Sequence, residues 1–230
     1  WIESLTTIST PHNGTTLVPI VSDIFPFIQK IAFWLAALQE DSFTEKYYDF
    51  DLEQWSLSRE INENLIEYLD RINHSPLKSS RNFCNWDLSP AGVRELNLKI
   101  IAEPKTYYFT FITSATEKKI KSAKHRPISA IGWNLYISAL LMGQTAAIDS
   151  TWFENDGLVN TISMYAPNAI DYQPGHYKTL NGKPEKGVWQ MVEKTYQDHH
   201  KVIGHGAADI DIEILKYRFL NHCKLLYGLE

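Results

Sequence analysis

The chain has 230 residues, 44% of them hydrophobic, enough for one large domain or two small ones around a sizeable core. A formal net charge of −5 argues against a nucleic-acid binder, which carries a basic face. Two cysteines, Cys84 and Cys223, are too few and too far apart for a disulfide framework or a thiolate zinc site.

The opening run "WIESLTTIST" has neither a basic region nor a small-residue cleavage site, so no signal peptide is visible. Ile2 to Ser9 reads as a buried strand entered in mid-fold, and it stops at the loop "TPHNGT" (Thr10 to Thr15). From Ile24 to Gln39 the apolar residues Phe27, Ile31, Trp34, Leu35 and Leu38 recur at spacings of three and four, which predicts a helix with one apolar face. Pro26, Gln29 and Lys30 interrupt this run, the longest apolar one, so no transmembrane segment is expected. On pattern alone it is a buried core helix or a cover over an apolar pocket.

A second helix is predicted over Glu60 to Pro76, and a third over Asp87 to Ile101 with Ser89 as N-cap and Pro90 at its first position. "KTYYFTFITS" (Lys105 to Ser114) has the aromatic and β-branched composition of a central strand. The basic run "EKKIKSAKHR" (Glu117 to Arg126) reads as a solvated loop. A helix from Trp133 to Met142 is followed by the turn "ENDG" (Glu154 to Gly157), a strand from Leu158 to Met164, a strand and histidine-bearing loop within Lys186 to His205, and a terminal helix from Asp209 to Gly228. Strands alternating with helices indicate an α/β fold.

An Asn-Asp-Gly turn is ordinary turn chemistry, but an acid on a loop followed later by a histidine in a loop before a terminal helix has a second meaning. Asp then His is the order of the second half of an α/β-hydrolase triad, and Asp156 and His199 fit it. In that chemistry the histidine takes the nucleophile's proton and the aspartate fixes its tautomer.

The segments "LTTISTPHNGTTLV", "YYDFDLEQWSLSR", "DLSPAGVRELN", "TYYFTFIT", "WFENDGLVNTISM", "KGVW" and "DHHKVIG", in this order over nearly the whole chain, resemble the C-terminal portion of the large thermostable and staphylococcal bacterial triacylglycerol lipases. The resemblance implies an α/β-hydrolase fold whose C-terminal part is a single lipase-like domain over 1–230, with a helical lid or cap insertion over 16–104. It implies that Asp156 is the triad acid and His199 the base, with His200 the competing histidine and Glu154 a neighbouring structural acid. The helix bearing Phe27, Ile31, Trp34 and Leu38 matches the lid, its apolar face turned to the acyl pocket. The implied partners are a lipid ester substrate and a lipid–water interface, and the implied location is extracellular; oligomeric state is left open.

No Gly-x-Ser-x-Gly occurs in these residues, so the nucleophile and oxyanion hole of the family are expected upstream. The chemistry itself requires no cofactor. The family's calcium near the triad histidine implies Gly132 as a carbonyl ligand. However, Lys201 stands where the family has an acid, so the site is expected to be absent or rebuilt around Asp209 and Asp211. The family's zinc would take its fourth ligand at Asn82, where an aspartate is expected; Asp87 instead starts a helix. Two other readings stay open: an inactive lipid-binding or interaction module that keeps the fold without the nucleophile, and a Cys-His hydrolase using Cys84 or Cys223, thiols expected to be buried and inert.

Overall fold

The computed structural model describes residues 2–21, 53–76, 81, 84–145 and 148–229. Phe27, Ile31, Trp34, Leu38 and Asn82 lie outside the described residues. The chain divides into two compact units, one of residues 1–20 and 84–230 and one of residues 21–83.

In the larger unit four parallel strands form one sheet: β1 (Ser4–Ile8), β2 (Tyr107–Thr113), β5 (Tyr177–Thr179) and β6 (Trp189–Thr195), in the order β1-β2-β6-β5. Ser4 pairs with Tyr107 and Ile8 with Phe111; Tyr108 pairs with Trp189 and Thr113 with Thr195, with a register shift between Thr110 and Phe111. β2 is central and six of its seven residues are buried, as expected of a strand covered on both faces.

The period of two along β2 sends its side chains to two different covers. Phe109 and Phe111 face the C-terminal helix α5 (Asp209–Tyr227): the His222 ring lies 5.1 Å from each, and Phe219 lies 5.9 Å from Phe111. Burying two phenylalanines contributes about 1.5 to 3 kcal/mol each. Thr110 and Ile112 point to the opposite face, where Ile112 packs with Val159 and Met164 and the Thr110 hydroxyl donates to the Met164 carbonyl at 2.7 Å.

Ahead of β2 come α2 (Cys84–Leu88) and α3 (Pro90–Asn97), and α3 begins as the sequence predicts, with the Ser89 hydroxyl accepting from the Gly92 N–H and Pro90 in the first turn. Gly14, in the loop after β1, has φ +82° and runs so close to this helix start that a Cβ there would lie 2.7 Å from the backbone of Ser89 and Pro90. Only glycine fits. After β2 an antiparallel hairpin of β3 (Thr116–Lys118) and β4 (His125–Pro127) leads to α4 (Trp133–Gln144). In the smaller unit, α1 (Leu65–His74) starts with a reciprocal capping box between Asn64 and Glu67, which places its start inside the predicted span Glu60 to Pro76.

Three expectations are corrected. Leu158 to Met164 is not a strand. It carries a single bridge between Asn155 and Asn160 and then a 3-10 turn (Thr161–Met164), because the buried Asn160 amide bonds back to Thr16 and to the Trp152 carbonyl and turns the chain away from the sheet. The basic run is largely hairpin, its ends clipped by an Arg126–Glu117 pair at 2.9 Å. Cys84 and Cys223 are exposed, not buried, on α2 and α5.

Candidate active site

Parallel strands bring their carboxyl ends to one edge, and loops leaving that edge are where α/β folds assemble sites. Here the loops after β1, β2 and β6 supply Ser9, the segment up to Asp156, and His199.

The turn around Asp156 is built by its neighbours. Asn155, fully buried, accepts the Gly157 N–H at 2.9 Å and donates to the carbonyls of Ala139 and Phe153, so its side chain locks the turn. Gly157 has φ +101°, a left-handed backbone that lets the chain reverse. The Asp156 carboxylate is buried, yet every lone-pair direction is used. Oδ1 accepts the N–H groups of Leu158 at 3.0 Å and Val159 at 2.8 Å, and Oδ2 accepts the Thr113 hydroxyl at 2.6 Å and His199 Nδ1 at 2.8 Å. The His199 N–H also reaches the Asp156 carbonyl at 3.1 Å, so backbone and ring are both referenced to one residue.

A carboxylate accepts only, so His199 Nδ1 carries the proton and Nε2 is left to take one. Burial disfavours charge on this ring, but the hydrogen bond and charge of Asp156 and the charge of Asp198 outweigh it and raise the His199 pKa above its ordinary value. His200 turns elsewhere: its Nδ1 lies 3.3 Å from the Asn134 amide nitrogen. Glu154 is paired with Lys194 at 2.6 Å.

Two hydroxyls behind Asp156 escaped the sequence reading. Thr113, at the end of β2, spends its only proton on Asp156, so the Ser9 hydroxyl 2.8 Å away must donate to Thr113. Ser9 is buried and holds φ +50°, a conformation a non-glycine residue adopts only where its surroundings impose it. The available signal was positional, since Thr113 ends β2 and Ser9 directly follows β1 in a parallel sheet. Thr113→Val should cost about 1 to 3 kcal/mol, because it strips a donor from a buried carboxylate and strands the Ser9 hydroxyl. Urea unfolding of the 230-residue chain measures this, and Thr113→Ser should recover most of the loss.

The metal expectations meet an ammonium. Lys201 Nζ donates to the Ala130 carbonyl and lies 3.9 Å from Asp198 Oδ2, so a positive side chain already occupies the oxygens beside the His199 loop. Gly132 gives its N–H to Asp198 at 2.8 Å, and its carbonyl accepts the Leu135 N–H in the first turn of α4. Asp209 is exposed in the first turn of α5. These residues do not fit a divalent cation as they stand. Among the described residues no three His, Cys, Asp or Glu side chains are grouped to hold a metal.

The family model of the lipase-like C-terminal domain matches residues 1–219. The chain belongs to that family. It is 30% identical over 210 residues to Lipase 1 of Staphylococcus aureus, covering 90% of this chain and 29% of that protein, and 28% identical over 211 residues to a lipase of Staphylococcus epidermidis, with the same coverage. Among solved structures it is similar to EstA from Clostridium botulinum (TM-score 0.70, 29% identity, 94% of this chain and 52% of the other). It is also similar to the Staphylococcus hyicus lipase (TM-score 0.68, 28% identity, 97% and 56%). This lipase-like chain therefore spans less than a third of the curated relatives' length and about half of the solved chains. Its parallel sheet with helices is the α/β architecture expected from the sequence, and no helix among the described residues is long and apolar enough to cross a membrane.

Proposed function

We propose that this chain is the acid–base half of a serine ester hydrolase acting on lipid esters such as triacylglycerols, working outside the cell at a lipid–water interface. The reading is supported above all by the 2.8 Å hydrogen bond from His199 Nδ1 to the buried Asp156 carboxylate. In the proposed reaction a serine hydroxyl from sequence outside these 230 residues attacks the acyl carbonyl while His199 Nε2 takes its proton. The tetrahedral intermediate then collapses, the alcohol leaves with that proton, and an acyl-serine remains. Water attacks next, again losing a proton to Nε2, and the carboxylic acid departs as the serine is re-protonated. Asp156 holds the Nδ1–H tautomer and stabilises the imidazolium.

The test is covalent labelling. A gene product that includes the preceding residues should react with a fluorescent alkyl phosphonate and hydrolyse p-nitrophenyl esters, and the 230-residue chain alone should do neither. A longer product that binds lipid vesicles but resists the phosphonate would favour the inactive lipid-binding reading. Labelling of the 230-residue chain itself would overturn the assignment of the nucleophile to other sequence.

A further inference from the structure

Beside the Asp156–His199 pair lies a second buried carboxylate that the proton transfers do not use. The Asp198 side chain is 1% exposed. Its Oδ1 accepts the N–H groups of His200 at 3.0 Å and Lys201 at 2.9 Å, and its Oδ2 accepts the N–H of Gly132 at 2.8 Å. Three backbone donors fix the group in space, but a carboxylate so far from water also calls for opposite charge. Lys201 supplies it: Nζ stands 3.9 Å from Oδ2 and donates to the Ala130 carbonyl, with its side chain 25% exposed.

The two oxygens around this ammonium belong to different parts of the chain. Asp198 precedes His199 and anchors the 3-10 turn (Lys201–Ile203) that follows it, with Val202 N–H reaching the Asp198 carbonyl at 3.3 Å. Ala130 lies in the 128–131 turn ahead of α4, 71 residues away. A carbonyl and a carboxylate converging from separate segments are the oxygens a hard cation uses to pin loops together. Here the cation is covalently attached. An ordinary surface ion pair has both partners solvated and contributes little; this one has a carboxylate already desolvated and oriented, so the ammonium is its only counter-charge in reach among the described contacts.

We propose that Lys201 is a positioning residue, a tethered ammonium that clamps the His199 loop to the 128–132 segment and stands in for a structural divalent cation. The inference rests on the reading of His199 as the proton carrier only where activity is the readout. It makes the loop's geometry independent of calcium, and it makes removal of the ammonium costly to the reaction rate rather than to substrate binding.

The decisive experiment swaps the kind of cation. On the 230-residue chain, calorimetric titration with calcium chloride should give no binding heat for the wild type, and its melting temperature should be the same in millimolar calcium and in chelator. Lys201→Glu places a second carboxylate beside Asp198 and the Ala130 carbonyl; it should melt lower in chelator and recover by several degrees with calcium. In the full-length enzyme Lys201→Met should lose about tenfold in kcat, with KM within about twofold of wild type, because a displaced base costs orientation and not affinity. Calcium should not restore Lys201→Met, whereas Lys201→Arg should keep most of the activity and calcium should restore Lys201→Glu. A wild type stabilised by calcium, a Lys201→Met with wild-type kcat, or a Lys201→Glu indifferent to calcium would each overturn the clamp. If no form of the full-length protein hydrolyses esters, the functional reading falls, and the calorimetry and melting of the 230-residue chain still decide the clamp.

Discussion

In the full-length protein, Asp156→Asn and His199→Ala should each lower kcat by about 10³-fold or more, measured on p-nitrophenyl butyrate at saturating substrate. The two changes act through one geometry. Asparagine keeps the shape of the carboxylate but not its charge, and its amide can offer N–H toward the Nδ1 that Asp156 now holds protonated at 2.8 Å, so the ring is free to take the wrong tautomer. Alanine at 199 removes the proposed proton carrier altogether. The double variant should be little worse than either single one, because groups that act as a unit do not add. His200→Ala is the control: its ring is directed at Asn134, so kcat should stay within about tenfold of wild type. An inactive His200→Ala beside an active His199→Ala would move the base by one residue. KM should change little in all four, since none of these side chains needs to contact the acyl chain.

What the sequence made legible was chemistry tied to local signals. The order of an acid in "ENDG" and a histidine in "DHH" offered the pair, and the family resemblance singled out His199 over His200; Ser89 and Pro90 announced the start of α3, and the aromatic run of β2 declared a covered central strand. What stayed hidden depends on partners far along the chain. The alternation in "LVNTISM" looks like a strand until Asn160 is seen bonded to Thr16, 144 residues away. β3, β4 and β5 are three residues each, too short to impose a period on the sequence. Ser9 and Thr113 are unremarkable β-branched or small polar residues at strand ends, and only the sheet register sets their hydroxyls in line with Asp156. Lys201 showed its sign but not its target, since nothing in "DHHK" reveals that Ala130 faces it.

Acidification should act on the protein through two groups of histidines with opposite signs. Burial disfavours a charged His199, but Asp156 and Asp198 outweigh it and lift its pKa above 6.5. A general base works only when neutral, so kcat/KM of the full-length enzyme should fall about tenfold per pH unit below that raised value. The same shift is stabilising in acid: with the folded pKa above the unfolded one, its contribution is fully present below pH 6.5 and is lost as the pH rises through the folded value. His12 runs the other way. Burial against Trp189, 4.4 Å away, lowers its pKa from 6.5 to about 4, so between those values the unfolded chain binds a proton that the folded chain refuses. Stability therefore falls with pH through that window, by about 3 kcal/mol in full and about 2 kcal/mol between pH 7 and pH 5. Burial also lowers the pKa of His125 and His222, which adds to the loss. Urea unfolding of the 230-residue chain at pH 7 and pH 5 measures this term separately from activity. His12→Asn should flatten the stability curve while leaving the acid limb of kcat/KM where it was. If the two curves shift together in that variant, acid inactivation is unfolding and His199 protonation is not its cause.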